Sequence, residues 1–252
     1  MPIAEDADGA VLSDARGVPV ARLRWRDEAG EQVVAAFAPS PGVAADRAAR
    51  AGVRELGGRR IKTADEDAAR ALIGAGCTLI RASTDMHRQS DEPIPVVPLV
   101  DGWTLGPHGW DAGLAAELNA AYGPGQPDRV TRLRSLTEGE GGLAVLPGAS
   151  ARLRDPAGRS MGEVFTVGPV PWGTVPTAWV LDLAVGPGGQ GRGFGAALLA
   201  YAMSGTRHAG LTVVGLTVTD GNPARRLYDR MGFRPVRRHF EMRAPQSRAG
   251  TL

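Results

Sequence analysis

The densest chemistry in this 252-residue sequence lies in Leu183-Ala184-Val185-Gly186-Pro187-Gly188-Gly189-Gln190-Gly191-Arg192-Gly193-Phe194-Gly195. An apolar strand runs into a glycine-dense turn and then a helix, marked by Phe194, Ala197, Leu198 and Tyr201 at i, i+3, i+4, i+7. The start of a helix leaves about four amides without an intrahelical acceptor, and the helix dipole adds positive potential there. Glycines carry no Cβ, so a phosphate can approach that backbone closely. The segment therefore reads as an anion cradle, with Arg192 as a fixed cation beside it. A nucleoside-triphosphate loop would end in Gly-Lys-Ser/Thr, which is absent here. A dinucleotide fingerprint would need G-x-G-x-x-G and an acidic residue about 20 positions on. Gly191, Gly193 and Gly195 are evenly spaced instead, and position 212 is a threonine.

A second segment, Asn222-Pro223-Ala224-Arg225-Arg226-Leu227-Tyr228-Asp229-Arg230-Met231-Gly232-Phe233, has the layout of a short capped helix. Asn222 suits the N-cap and Pro223 the first helical position. Ala224, Leu227, Tyr228 and Met231 share a face, Gly232 ends the helix, and Phe233 opens a buried strand.

Together the two segments resemble the GNAT N-acetyltransferase superfamily. Gln190 to Gly195 fits its Q/R-x-x-G-x-G/A pattern, and Asn222 to Phe233 its N-x-x-A-x-x-L-Y-x-x-x-G-F helix. The resemblance implies a mixed, mostly antiparallel central sheet flanked by helices (an α/β, α+β mixed fold) and acetyl-CoA as co-substrate. It puts the pyrophosphate on the amides of Gln190, Gly191, Arg192, Gly193, Phe194 and Gly195. It lays the pantetheine arm along Leu183, Ala184 and Val185, contacted by Asn222. It puts Tyr228 near the thioester sulfur, where a phenol of pKa near ~10 suits protonation of a departing thiolate. The implied acceptor is a primary amine of a small molecule, acetylated by direct transfer. The alternatives are a non-catalytic acyl-CoA-binding or regulatory module, a protein Lys or N-terminal acetyltransferase, and decarboxylation or transfer of a larger acyl group.

The acceptor side departs from the family pattern. Where a carboxylate often stands, four residues before Leu183, there is Trp179. The candidate bases are Asp182, on the same strand, and Glu163, on the preceding one, with His239 and Glu241 as weaker choices. Strict alternation turns Asp182 away from the face of Leu181 and Leu183, unless a bulge re-aims it. Trp103, Trp110, Trp172 and Trp179 lie where they could line an acceptor pocket or simply pack. Glu138-Gly139-Glu140 reads as a solvated loop that could also attract a cationic amine.

These segments must be carried by a scaffold, and the rest of the chain supplies it. Strands are expected over 18–25 and 31–39 around a DEAG turn, and helices over 42–56 and 65–75. A helix is expected to follow Gly102–His108, with Leu114, Leu118, Ala121 and Tyr122 on one face, and 123–148 reads as glycine-rich and irregular. Residues 89–100 hold three prolines and mark a linker. The expected domains are therefore 1–95, a degenerate partial GNAT-like domain, and 96–252, a complete one, a layout similar to two-domain members of the mycothiol synthase type. Residues 69–86 can be laid over 224–242, with Ile73 in the place of Tyr228 and Asp67 near that of Asn222, so the first half is not expected to hold CoA. Lys plus Arg (29) barely exceeds Asp plus Glu (27), and the basic residues are spread along the chain, so no nucleic-acid partner is expected. The one cysteine, Cys77, sits among small or apolar neighbours and reads as an inert buried thiol. The acidic N-terminus has no signal-peptide core and no apolar run nears the ~20 residues of a membrane span. A cytoplasmic monomer or homodimer, away from membranes and without a metal site, is the expectation.

Overall fold

The computed structural model describes residues 2–6, 9–28, 30–109, 121, 129–138 and 142–246. The chain forms two compact units, Met1–Asp85 with Val236–Leu252, and Met86–Pro235. These differ from a cut after residue 95 in where residues 86–95 and 236–252 fall. The division runs inside two long strands.

The first unit opens with four antiparallel strands, β1 (Ile3–Asp6), β2 (Gly9–Ser13), β3 (Pro19–Glu28) and β4 (Glu31–Pro39). The turn between β3 and β4 is held by Asp27, whose Oδ1 accepts from the Gly30 amide at 2.9 Å. Helix α1 (Ala45–Glu55), strand β5 (Arg60–Thr63), helix α2 (Glu66–Gly74) and strand β6 (Thr78–Gln89) follow. β4 and β5 are parallel through Val34↔Ile61. The far end of the chain, β12 (Arg234–Arg243), pairs antiparallel with β5 from Phe240↔Thr63 to Arg243↔Arg60. Ala48, Ala49, Ala68 and Leu72 of the helices pack on Leu23, Val34, Phe37, Ile61 and Met242. Small alanines let helix and sheet approach closely, which suits an alanine-rich segment. Asp65 caps α2, its Oδ1 accepting from Ala68 at 2.9 Å. Cys77 belongs to this core, and burial pushes its thiol up to about 11, in line with an inert thiol. β1 and β2 go beyond the strands expected from the sequence: both are short, and the apolar run Ala10-Val11-Leu12 hides the alternating burial of β2.

The second unit contains β7 (Thr104–Pro107), α3 (Arg129–Glu138), β8 (Ala151–Arg154), β9 (Ser160–Val167), β10 (Thr177–Val185), α4 (Phe194–His208), β11 (Val213–Thr219) and α5 (Arg225–Arg230). From Met86 on, β6 completes it, giving the strand order β6-β11-β10-β9-β8-β7. The pairs from β7 to β10 are antiparallel, and β10–β11 is parallel. Asp155 builds the β8–β9 turn, accepting from the amides of Ala157 and Arg159 at 3.0 and 2.8 Å. α4 buries Phe194, Leu198, Leu199 and Met203 against Val164, Val180 and Val214. On the other face Leu133 of α3 joins Phe165, Val167, Trp179 and Ala184. The irregular stretch expected over 123–148 thus contains a helix, Arg129–Glu138. That run holds neither glycine nor proline; the glycines only flank it. Trp110, Gly139, Glu140 and most of the helix expected around 114–122 lie outside the described residues.

The order β4-α1-β5-α2-β6 in the first half returns as β10-α4-β11-α5-β12 in the second. Gly76 and Gly232, which the internal alignment matches, both sit at positive φ, 103° and 86°. Among the described residues no helix is long and apolar enough to cross a membrane, and no group of three metal-ligating side chains occurs.

Candidate active site

The site begins where two parallel strands part. The ladder between β10 and β11 runs from Thr177↔Val213 to Val180↔Leu216, yet the strands continue to Val185 and Thr219. On its other edge β10 stays paired with β9 through Val185↔Gly162. The parallel ladder thus ends at Val180↔Leu216, ahead of Leu183, Ala184 and Val185 and of the glycine turn that follows them.

That turn follows at once. A 3-10 turn over Pro187–Gly189 leads into it, and Gln190 Nε2 donates to the Val185 carbonyl at 3.1 Å, tying the turn to the strand end. Gly191 and Gly193 take φ of 77° and 83°, a left-handed conformation that costs other residues about 1–2 kcal/mol. Gly193 is the N-cap of α4 and has no side chain to cap it. The amides of Gly191, Arg192, Gly193, Phe194 and Gly195 have no acceptor among the described residues. Nothing lies within 4 Å of the Cβ positions of Gly191 and Gly193. A cluster of unsatisfied donors with open space above it fits a diphosphate. Arg192 is held over the rings of Trp103 and Phe194, 4.9 and 5.2 Å from their centroids, and those rings are 4.2 Å apart. Trp103 therefore packs against the glycine turn, through Arg192 and Phe194.

α5 brings Tyr228 into the same unit. Asn222 Oδ1 accepts from the Ala224 amide at 2.9 Å, fixing the helix entry. Tyr228 is buried, and its hydroxyl has no hydrogen-bond partner among the described residues. Burial raises its pKa to about 12; the charge of Asp182 pushes the same way, and Arg129 opposes.

β10 carries a bulge between Val180 and Asp182 in its pairing with β9. The extra residue, Leu181, breaks the alternation, so Asp182 pairs with Phe165 and shares a face with Ala184 and Glu163. Asp182 is only 3% exposed. Arg129 grips it with two bonds of 2.8 Å, from Nε to Oδ2 and from Nη2 to Oδ1. Both carboxylate oxygens are thereby engaged.

Glu163 is 0% exposed. Its Oε2 lies 2.6 Å from His108 Nε2, and its Oε1 has no hydrogen-bond partner among the described residues. Arg152 is its cross-strand partner on β8 and is itself buried. Burial raises the Glu163 pKa; the His108 hydrogen bond lowers it, the Asp182 charge raises it and Arg152 lowers it. The net direction is up.

Trp179, where the family often has a carboxylate, packs against Gly215, where a Cβ would come within 2.4 Å of the indole. It meets His87 and the half-exposed Trp172 edge-on, at 5.6 and 5.9 Å. His239 and Glu241 are elsewhere. Both belong to the first unit, His239 bonded to Asp85 at 2.7 Å and Glu241 to Arg60 and Arg81 at 2.7 and 2.8 Å. The sequence reading had missed Arg129, His108 and Arg152. Arg152 alone had a local signal: the tight β8–β9 turn sets the register that puts it opposite Glu163.

Residues 155–233 match the model of the acetyltransferase (GNAT) family. The fold is similar to a GCN5-related N-acetyltransferase from Sphaerobacter thermophilus, at 18% identity and TM-score 0.66, over 96% of this chain and 83% of that one. It is similar to a tandem GNAT protein from the clavulanic acid biosynthesis pathway, at 18% identity and TM-score 0.57, over 94% and 83%. A GCN5-related N-acetyltransferase from Kribbella flavida aligns at 17% identity and TM-score 0.57, over 99% and 90%. No curated protein matches the sequence. The matched segment spans the parted strands, the glycine turn and the tyrosine helix, and the likeness of the whole chain to these solved structures is one of fold.

Proposed function

We propose that the chain moves an acetyl group from acetyl-CoA to a primary amine of a small molecule, by direct transfer in the second unit. The observation that carries this is the set of unpaired amides from Gly191 to Gly195 beside parted strands. The pyrophosphate belongs on those amides, with Gln190 closing the turn beneath it. The pantetheine arm belongs along Leu183, Ala184 and Val185, with Asn222 at its side.

Glu163 acts as the base, directly or through one water. Its raised pKa brings a carboxylate closer to working pH, where a general base is most effective. Asp182 is spoken for by Arg129 and serves to hold that helix and the local charge. The acceptor nitrogen gives its proton to Glu163 and bonds to the carbonyl carbon. The carbon–sulfur bond breaks, and the sulfur takes the hydroxyl proton of Tyr228. Burial that lifts Tyr228 to about 12 also lifts a thiolate formed beside it, as Cys77 shows at about 11 elsewhere in the chain. Trp172 and Trp179 form an aromatic wall for the body of the acceptor. The first unit is a degenerate copy that keeps the frame without the cradle.

Release of free thiol from acetyl-CoA, measured against a panel of amines, amino acids and aminoglycosides, tests the reading. Turnover with at least one small amine is expected; tight CoA binding without turnover on any acceptor overturns it. Glu163→Gln should lower kcat/KM by ~10²–10⁴ and remove the acid limb of its pH profile. The same variant should melt no lower than the parent at pH 8. A folded-state pKa above the ordinary 4.5 favours the protonated, folded form. That stabilisation is complete below pH 4.5 and is lost as pH rises through the raised value, so only the parent weakens across that window.

A further inference from the structure

We propose that His108 is the positioning residue of Glu163, holding Oε2 so that Oε1 is the oxygen that takes the acceptor's proton. The inference rests on Glu163 being the base.

The carboxylate has two oxygens in different circumstances. Oε2 is bound by His108 Nε2 at 2.6 Å, and Oε1 is buried with no hydrogen-bond partner among the described residues. A buried, unpaired carboxylate oxygen is costly, and such groups persist where they have work to do. A single strong bond to one oxygen fixes the plane of the group and leaves the other oxygen's lone pairs in a defined direction. With Glu163 ionised, Nε2 carries the proton and donates it.

His108 is well placed to be rigid. It follows β7, its side chain is 6% exposed, and its ring packs on Phe165 at 4.7 Å. Phe165 is one strand alternation from Glu163 and faces Asp182 across the bulged pair. The imidazole is thus clamped by the same strand that carries the base.

The charged groups facing Glu163 from the packed elements are His108 after β7, Arg152 on β8 and Asp182 on β10, the last gripped by Arg129 of α3. Burial and Asp182 push the carboxyl toward its protonated form, and His108 and Arg152 oppose them. Among the described residues His108 makes a short, directed hydrogen bond to the carboxylate, at 2.6 Å. Without it the base should be protonated, and idle, up to a higher pH.

The test compares His108→Phe, which keeps the ring contact with Phe165, and His108→Gln, whose amide can reach Oε2 as Nε2 does. Two readouts are taken: the pH profile of kcat/KM, and the titration of the Glu163 carboxyl itself by NMR in protein carrying carbon-13-labelled glutamate. His108→Phe should move both midpoints up by about one pH unit, the scale of one hydrogen bond to a charged group. His108→Gln should return both toward the parent. An unmoved carboxyl midpoint in His108→Phe, or equal loss of rate in both variants with no change of midpoint, overturns the inference. If the carboxyl midpoint moves while Glu163→Gln leaves the rate intact, the positioning contact stands and the assignment of Glu163 as base is what fails.

Discussion

The chain builds the same strand–turn–helix twice and equips it differently. In the second unit β10 enters α4 through Gly186 to Gly193, with two glycines at positive φ and a run of amides free of acceptors. In the first, β4 enters α1 through Ser40-Pro41-Gly42-Val43-Ala44. There the N-cap, Ala44, is in an extended conformation, Pro41 has no amide to offer, and the Val43 amide is spent on the Ser40 carbonyl at 3.0 Å. The second helices differ as sharply. Tyr228 is buried, whereas Ile73, which takes its place in the internal alignment, is 42% exposed. The first loop also has Gly42 at φ 77° and leaves the Ala44, Ala45 and Asp46 amides without an acceptor among the described residues, so the two loops differ in degree: the second has two such glycines and a longer run of such amides, while the first places the carboxylate of Asp46 in the opening turn of its helix.

Breaking the cradle should have the largest effect. Gly193→Glu forces a side chain onto a φ of 83° and sets a carboxylate where the proposed diphosphate would lie. Calorimetry should show one CoA per parent chain and none in the variant. Saturable binding that survives the substitution would mean that the first unit holds CoA after all, and the contrast between the two loops would collapse.

Next comes the contrast between the second helices. Tyr228→Phe should lower turnover by ~10²–10⁴ with CoA affinity nearly unchanged, whereas Ile73→Ala should leave turnover as it was. Equal rates for Tyr228→Phe and the parent would reduce Tyr228 to a packing residue like those of the first unit.

The smallest effect is expected at Arg192. Its guanidinium already rests on Trp103 and Phe194, so Arg192→Lys should weaken CoA binding only about 3–10-fold, through the stacked arrangement it loses. A loss as large as that of Gly193→Glu would show the charge, and not the amides, to be the main grip.

Much of this site could be read in advance, and the reasons are local. The glycine turn and the tyrosine helix are contiguous, so their spacing alone carries their geometry. The internal alignment of 69–86 with 224–242 foreshadowed two matching helix–strand segments, α2–β6 and α5–β12. Other parts resisted. Helix α3 was hidden by the glycines around it, and in β2 the continuous apolar run Ala10-Val11-Leu12 masks the alternation that burial reveals. His108 and Arg129 lie 55 and 53 residues from the carboxylates they bind, so no window of sequence could pair them. The strand β12 pairs with β5 across well over half of the chain, a partnership that only long-range register decides.

By itself the sequence determined the glycine turn and its companion helix, because both are set by residue type over a dozen neighbouring positions. The tertiary structure alone decided which carboxylate is engaged and which retains an unpaired oxygen. One inserted residue at Leu181 turns Asp182 toward Arg129, and burial raises the Glu163 pKa against the opposing hydrogen bond of His108; bulges, ion pairs and desolvation arise only when distant segments meet.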